Sequence, residues 1–405
     1  MMGSQIVAGL DIGTTKVCAI AAEVNGKGMR ILGMGSASST GLRKGLIINI
    51  DATVDAIKKA VKECETYSGT KIRSVIAGVS GSHIEGFNSA GLVGVRKKEV
   101  SFADVDHAID SAKTVHIPLD REILHVIPTE FVLDEHEGIA DPIGMSGVRL
   151  EARVHIITGA VSPIHNLVKC CEKSGLGVAD IVLEPLASAR ATLTQEEKEF
   201  GAVLVDIGGG TTDIALFKDG FLRHVSVLGI GGAHLTNDIA IGLRISMYEA
   251  ERLKKNFGAA VTGIITDDAE EIQIKHTGDK ERSIPKKYLA EILQPRCEEM
   301  LTMIKEAVKE CYGYELATCG IVLTGGCALL DGMDKMAEAV LGLPVRIGVP
   351  SNVTGLNARM ANPMYATGVG LIAFNKTSMS NRIFLPDVVS GVFVMMKDWV
   401  KGVLQ

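Results

Sequence analysis

Two short segments of this chain carry the same residue types in the same order. The first is Asp11-Ile12-Gly13-Thr14-Thr15-Lys16; the second is Asp206-Ile207-Gly208-Gly209-Gly210-Thr211-Thr212-Asp213. Each places glycines and threonines at a tight turn between two apolar strands. Glycine lets backbone N–H groups approach phosphate oxygens, and threonine hydroxyls add further donors. Lys16 can add a positive charge on a phosphate. Asp11 and Asp206 stand where they could hold a hydrated Mg²⁺. One such turn is ordinary hairpin chemistry. Two in register point to a clamp that grips a nucleotide's phosphates from both sides.

A third segment, Leu323-Thr324-Gly325-Gly326-Cys327-Ala328, reads as a strand ending in a Gly-Gly turn with a helix behind it. Such a turn lets the backbone lie against a flat purine and its ribose, although alone it is also a plain strand-to-helix connection. Gly231 and Gly232, at the end of the second copy's third strand, join the candidate nucleotide contacts. Glu251 and Lys254 share one face of a helix at i and i+3. They could hydrogen-bond a ribose or simply form a solvated charged face.

The elements that position these turns also repeat. Both copies read as strand, turn, strand, polar turn and third strand, ending in Leu32-Gly33-Met34-Gly35 and Leu228-Gly229-Ile230-Gly231. Two homologous lobes, each opening on a β-meander, are expected. Asp51 is the expected cap of a helix with Val54, Ile57, Ala60, Val61 and Cys64 on its apolar face. Ser162-Pro163 opens another helix, which Gly175 stops. Ser101 and Asp104 form a capping box. Pro128 demotes the strand Ile123–Leu133 to a sheet edge. Alternation from Val148 to Ile156 predicts a half-buried strand with Arg149, Glu151, Arg153 and His155 outward.

The organisation expected is a first lobe from 5–82, a small α/β insertion at 83–160, and the lobe's return with a connecting helix at 161–195. A second lobe follows at 196–236, with a largely helical insertion at 237–320 and a return at 321–374. A linker at 375–386 leads to an amphipathic helix at 387–405.

Composition excludes several classes. The 405 residues carry 42 Lys and Arg against 48 Asp and Glu, a net charge of -6, and aromatics are only 4%. Neither a basic surface nor a base-stacking platform for nucleic acid is expected. The eight cysteines form no C-x-x-C pair and read as buried thiols of a cytosolic protein. No secretory signal precedes the first strand pattern. No apolar run is long enough to span a membrane, and the histidines show no metal-binding spacing.

Together the motifs resemble the actin/Hsp70/sugar-kinase superfamily. Within it the chain is similar to the FtsA family of bacterial cell-division actin homologues. Leu124-His125-Val126-Ile127-Pro128-Thr129-Glu130-Phe131, Gly147-Val148-Arg149-Leu150 and Leu289 through Arg296 look like that family's own segments. So does the replacement of an actin-type subdomain by residues 83–160. The resemblance implies an α/β, two-lobed actin-like ATPase fold with duplicated β-meander and helix cores and inserted subdomains. It implies ATP with Mg²⁺ between the lobes. Gly13 to Lys16 would be the first phosphate motif, Gly208 to Thr212 the second, and Gly325 to Cys327 the adenosine motif. Glu184, in the connecting helix, would orient the attacking water, with Asp206 and Asp213 in the metal shell or as water-orienting partners. Hydrolysis would be weak at most, and nucleotide would serve assembly.

The implied partners are other copies in an actin-like polymer, the C-terminal tail of FtsZ, later division proteins through 83–160, and inner-membrane lipid. The implied location is the cytoplasmic face of that membrane, peripheral, at the division site. The resemblance places the FtsZ site in the second-lobe insertion, where Arg282, Lys286, Lys287 and Arg296 read as a basic cluster for an acidic peptide. In the tail, Val392, Phe393, Met396, Val400 and Val403 fall on one helical face, flanked by Trp399, with Lys397 and Lys401 opposite. A helix of this length and mixed polarity lies in a membrane interface rather than across it, or docks on its own globular body. Two other functions stay open: a small-molecule kinase of the superfamily, and an actin-like protein of pilus assembly.

Overall fold

The computed structural model describes residues 5–374, apart from 26–27, 268, 276–280, 312 and 352. The linker and the amphipathic tail, with the membrane-facing residues Val392, Phe393, Met396, Trp399, Val400 and Val403, lie outside the described residues.

The first lobe begins with β1 (Gln5–Ile12), β2 (Lys16–Asn25) and β3 (Gly28–Ser38), then the two-residue strands β4 (Leu42–Arg43) and β5 (Leu46–Ile47). Helix α1 (Ile50–Ser68) and β6 (Ser74–Val79) follow. The insertion comprises β7 (Glu85–Gly94), α2 (Phe102–Ala112), β8 (Arg121–Leu133), β9 (His136–Ile139) and β10 (Arg149–Ala160). The lobe resumes with α3 (Val161–Lys173) and β11 (Gly177–Leu183), and the chain leaves through α4 (Glu184–Thr192) and α5 (Gln195–Phe200).

The second lobe holds β12 (Ala202–Ile207), β13 (Thr212–Lys218), β14 (Phe221–Leu228), α6 (Gly232–Leu243) and α7 (Met247–Phe257). Next come the hairpin β15 (Glu271–Lys275) and β16 (Glu281–Pro285), α8 (Lys286–Glu310), α9 (Gly313–Leu316) and β17 (Ile321–Thr324). Helix α10 (Met333–Leu341), β18 (Val345–Ile347) and α11 (Ala366–Ile372) end the described chain.

The two main sheets have one topology. Their strand orders are β3-β2-β1-β6-β11 and β14-β13-β12-β17-β18, an antiparallel meander continued by two parallel strands. The parallel strands require crossover segments, so the helices and insertions sit between them. The repeated Leu-Gly-x-Gly does different work in each copy. In β3 it lets α1 lie directly on the strand: a Cβ at Gly35 would fall 2.1 Å from the Ala60 carbonyl oxygen. In the second lobe it brings the start of α6 against the β12–β13 turn, where Gly232 N–H donates to the Gly208 carbonyl at 2.9 Å.

Several expectations change. The cap of α1 is Asn49, whose side chain accepts from Ala52 N–H; Asp51 sits one step inside, in the first turn. Ser101 and Asp104 do form the capping box of α2. β8 pairs with β10 along its length, and its register shifts between Arg153 and Val154, opposite Pro128. β9 reaches only Phe131 and Leu133, which leaves the other edge of β8 open beside the proline. Alternation in β10 holds to Val154, after which both faces are buried. His155 is inside because β14 of the second lobe packs on that face, its ring 6.3 Å from that of His224.

The expected helical insertion contains the β15–β16 hairpin. The segment after β18, expected in the second lobe, returns to the first. Thr354 bridges to Arg30, and α11 packs on β1, β2 and β6. Helix α4 packs on β12, β13 and β17 of the second lobe, so one member of this helix pair lies on each lobe's sheet. These two helices cross tightly: a Cβ at Gly370 would lie 1.8 Å from the Ala187 carbonyl oxygen.

Candidate functional site

The β1–β2 and β12–β13 turns face each other across a cleft of about 480 Å³. Each turn is closed by its own backbone. Gly13 N–H donates to the Lys16 carbonyl and Gly208 N–H to the Thr211 carbonyl, both at 2.9 Å. The turns touch: a Cβ on Gly209 would meet Thr15 Cγ2 at 2.5 Å, and one on Gly210 would meet Thr14 Oγ1 at 2.4 Å. Gly13, Thr14, Thr15, Lys16, Gly208, Gly209, Gly210 and Thr211 all line the cleft.

Thr212 does not. It is fully buried as the first residue of β13, and its hydroxyl donates to the Ile230 carbonyl at 2.8 Å. Strand alternation turns it away from its neighbour Thr211. Gly231 is also outside the lining; it is the N-cap of α6. Lys16 lines the cleft, with its ammonium directed to the Met364 carbonyl and 4.2 Å from the Tyr365 ring centroid.

The segments that sequence analysis read as a purine side lie together in one cleft. Gly232, Glu251, Lys254, Gly325, Gly326 and Cys327 line the same cleft. Gly325 has φ +88°, and a Cβ there would sit 2.4 Å from Asp206 Oδ1, so only glycine fits. A short 3₁₀ turn, Gly326–Leu329, intervenes before α10. Lys254 donates to the Gly232 carbonyl at 2.9 Å and pairs with Glu251 at 2.7 Å. The i and i+3 pair therefore also ties α7 to the start of α6.

Four carboxylates meet at the base of the cleft: Asp11, Asp206 and Asp213 are buried, and Glu184 is half-buried. Burial pushes Asp213 up to about 8, and Asp206's charge adds to this. Burial raises Asp11 to about 6, with Lys16 opposing and Asp206 reinforcing the shift. Glu184 is raised well above the ordinary range by burial, then by Asp11, Asp213 and Asp206. Asp206 is raised by burial despite two hydroxyl donors, Ser188 of α4 at 2.6 Å and Thr367 of α11 at 3.3 Å. A hydrated divalent cation would relieve this repulsion, and the donor set is the hard oxygen chemistry that Mg²⁺ prefers. Among the described residues no group of three or more His, Cys, Asp or Glu side chains is placed to hold a metal ion directly.

Sequence reasoning missed Ser80 and His83. Ser80 donates across the cleft to Asp213 at 2.5 Å, joining the two lobes. Both ring nitrogens of His83 are buried without a partner, and burial lowers its pKa to about 4. Neither residue belongs to a motif.

The four basic residues assigned to one cluster are dispersed. Lys286 lines the cleft and pairs with Glu270 at 3.0 Å. Arg282 is exposed and donates to the Leu243 carbonyl at 3.1 Å. Lys287 is half-buried. Arg296 pairs with Asp238 at 2.6 Å and also with Glu299, and lies about 15 Å along α8 from Lys286 at 1.5 Å per residue.

Two duplicated sheets facing across a glycine- and threonine-lined cleft, backed by two crossing helices, define an actin-like ATPase fold. Solved structures agree. A PilM–PilN type IV pilus biogenesis complex superposes with a TM-score of 0.64 at 16% identity, covering 91% of this chain and 97% of that one. MreB5 of Spiroplasma citri bound to ADP gives 0.54 at 18% identity, covering 92% and 97%.

Sequence comparison narrows the class. The family model for cell division protein FtsA matches residues 203–370, and that for the SHS2 domain inserted in FtsA matches 81–158. The cell division protein FtsA of Pseudomonas aeruginosa is 41% identical over 99% of both chains. That of Escherichia coli is 37% identical over 98% of this chain and 96% of its own, and that of Bacillus subtilis 38% over 92% and 84%. This chain belongs to the FtsA family of cell division proteins.

Proposed function

We propose that this chain is an ATP-binding, actin-like division protein that polymerises, binds the C-terminal tail of FtsZ, and tethers the division ring to the inner membrane. The observation that carries the reading is the family match over nearly the whole chain, combined with the two-hairpin cleft and the amphipathic pattern of the tail. ATP fills the cleft in this reading, with its phosphates between the two turns and Mg²⁺ held through water by Asp11 and Asp206. Glu184 and Asp213 orient water for slow phosphoryl transfer, which requires mainly positioning and charge neutralisation. Residues 83–160 recruit later division proteins.

Among the described residues no helix is long and apolar enough to cross a membrane. Attachment in this reading falls to the tail. A single amphipathic anchor binds weakly, with an association constant on the order of 10⁴ M⁻¹. A polymer displaying many anchors gains roughly 10² or more by avidity. Truncation after Asn381, or Trp399→Glu, is therefore expected to release the protein from anionic vesicles with ATP affinity unchanged. Vesicle pelleting with and without ATP measures this. Truncated protein that pellets as well as full-length protein would remove the anchor.

For FtsZ, the dispersed cations leave Arg296 as part of a local network rather than a lone charge. Arg296→Glu is expected to weaken binding of an FtsZ tail peptide severalfold, read by fluorescence anisotropy. An unaltered dissociation constant would take Arg296 out of the site.

The superposition on the PilM–PilN complex favours a second reading, docking of a short peptide in pilus assembly. At 16% identity it supports the fold alone, and the family match outweighs it.

A further inference from the structure

Lobe one lines part of the cleft with residues outside the phosphate and adenosine motifs. Gly78, Val79 and Ser80 come from the end of β6, His83 from the turn that follows, and Gly45 and Ile47 from the β4–β5 hairpin. Two of these side chains are polar. The Ser80 hydroxyl is committed to Asp213 at 2.5 Å. The His83 ring is not committed: both its nitrogens are buried, and neither has a partner among the described residues. Buried polar atoms are nearly always paired, because the hydrogen bond lost to water must be replaced. Burial, then the charge of Arg121, lowers the ring's pKa to about 4, so it is neutral near pH 7. A neutral imidazole has one N–H to donate and one nitrogen to accept. His83 therefore carries a donor and an acceptor that its own chain leaves unused.

The loop that holds this ring is fixed from two sides. Arg121 Nη2 donates to the His83 carbonyl at 3.0 Å. The β4–β5 hairpin packs on the same loop, since a Cβ on Gly45 would lie 2.7 Å from the Ser80 carbonyl oxygen. Gly45 N–H also donates to Thr14 Oγ1 at 3.3 Å, which ties the His83 loop to the β1–β2 turn. Glu184 stands beside the same strand: a Cβ on Gly78 would lie 3.2 Å from its Oε1. On its lobe-two side the cleft is lined by Phe257, Gly258, Leu329 and Leu330, with Gly325. A nucleotide with its base on that side and its phosphates between the turns runs its last phosphate toward lobe one.

We propose that His83 contacts the third phosphate of ATP and so distinguishes ATP from ADP. Its ring N–H donates to an outer phosphate oxygen, and the other ring nitrogen accepts from water. ADP ends one phosphate short and leaves the ring without that bond. The inference rests on the ATP reading proposed above, and its test compares two nucleotides so that the two can fail separately.

Calorimetric titration of wild-type, His83→Ala and His83→Gln protein with MgATP and MgADP measures the contact, beside a thermal melt of each variant. Alanine is expected to lower ATP affinity about tenfold, the loss for a hydrogen bond to a charged group, and ADP affinity by less than about twofold. Glutamine, whose amide also donates, should recover part of the loss. In wild-type protein carrying isotope-labelled histidine, the His83 ring resonances should move with ATP and stay with ADP, a measurement that needs no folded variant. Equal losses for both nucleotides, no loss for either, or ring resonances that respond alike to ATP and ADP would overturn the proposal and leave the ATP reading standing. Wild-type protein that binds neither nucleotide would sink both.

Discussion

A valine at position 209 is expected to lower ATP affinity at least tenfold, about 1.4 kcal/mol or more. Gly209 forms the point where the β1–β2 and β12–β13 turns touch, and its missing side chain is what lets them approach. A Cβ there would stand 2.5 Å from Thr15 Cγ2 and 2.8 Å from Thr15 Oγ1. The turn cannot retreat easily, because the Gly209 carbonyl accepts from Ala233 N–H at 2.7 Å and anchors the start of α6. Gly209 is not among the positive-φ glycines, so a side chain there is opposed by the facing turn and not by its own backbone conformation. The cost falls on the cleft. Calorimetric titration with ATP, beside a thermal melt confirming that the variant is folded, measures it. Wild-type affinity in folded Gly209→Val protein would remove the clamp assignment.

Asp213→Asn is expected to stabilise the nucleotide-free protein by roughly 1–3 kcal/mol near pH 8 while weakening its response to MgATP. Asp213 is raised from an ordinary 3.8 to about 8 in the folded chain. The unfolded chain loses that proton near pH 4, whereas the folded chain keeps it to about pH 8. Stability from this group is thus full below pH 4 and is lost as pH rises toward 8. Asp11 and Glu184 are displaced in the same direction. Asparagine imitates the protonated acid and can still accept from Ser80, so it removes the pH penalty without losing that bond. It cannot attract a cation. Thermal melts from pH 5 to 8, with and without MgATP, test both halves. An unchanged pH slope in the variant would show that Asp213 does not carry the penalty.

The duplicated lobes were legible because a strand–turn–strand unit leaves local marks: a glycine-threonine turn and a period of two on either side. The cleft was legible for the same reason, residue by residue, except where a choice depended on which way a strand faces. Thr211 and Thr212 are chemically alike, and the pleat of β13 decides that the first reaches the cleft. The β15–β16 hairpin was readable in Glu271-Ile272-Gln273-Ile274-Lys275, whose alternation was obscured by helical neighbours. The return of α11 to the first lobe leaves no local signal, since it is fixed by contacts with strands more than 300 residues earlier, such as Gly9 against Leu371. Ser80 was invisible for a related reason: only Asp213 of the facing lobe gives it a role. Sequence spacing alone does not show that carboxylates, Asp238 and Glu270 among them, face the basic residues of the second-lobe insertion.

The crossing of α4 and α11 has no room for a side chain at Gly370, where a Cβ would lie 1.8 Å from the Ala187 carbonyl oxygen. Close by, the Asp206 carboxylate accepts a hydroxyl from each of the two helices, Ser188 at 2.6 Å and Thr367 at 3.3 Å. A residue larger than glycine at position 370 must therefore push the helices apart beside the two hydroxyls that hold a carboxylate at the floor of the cleft.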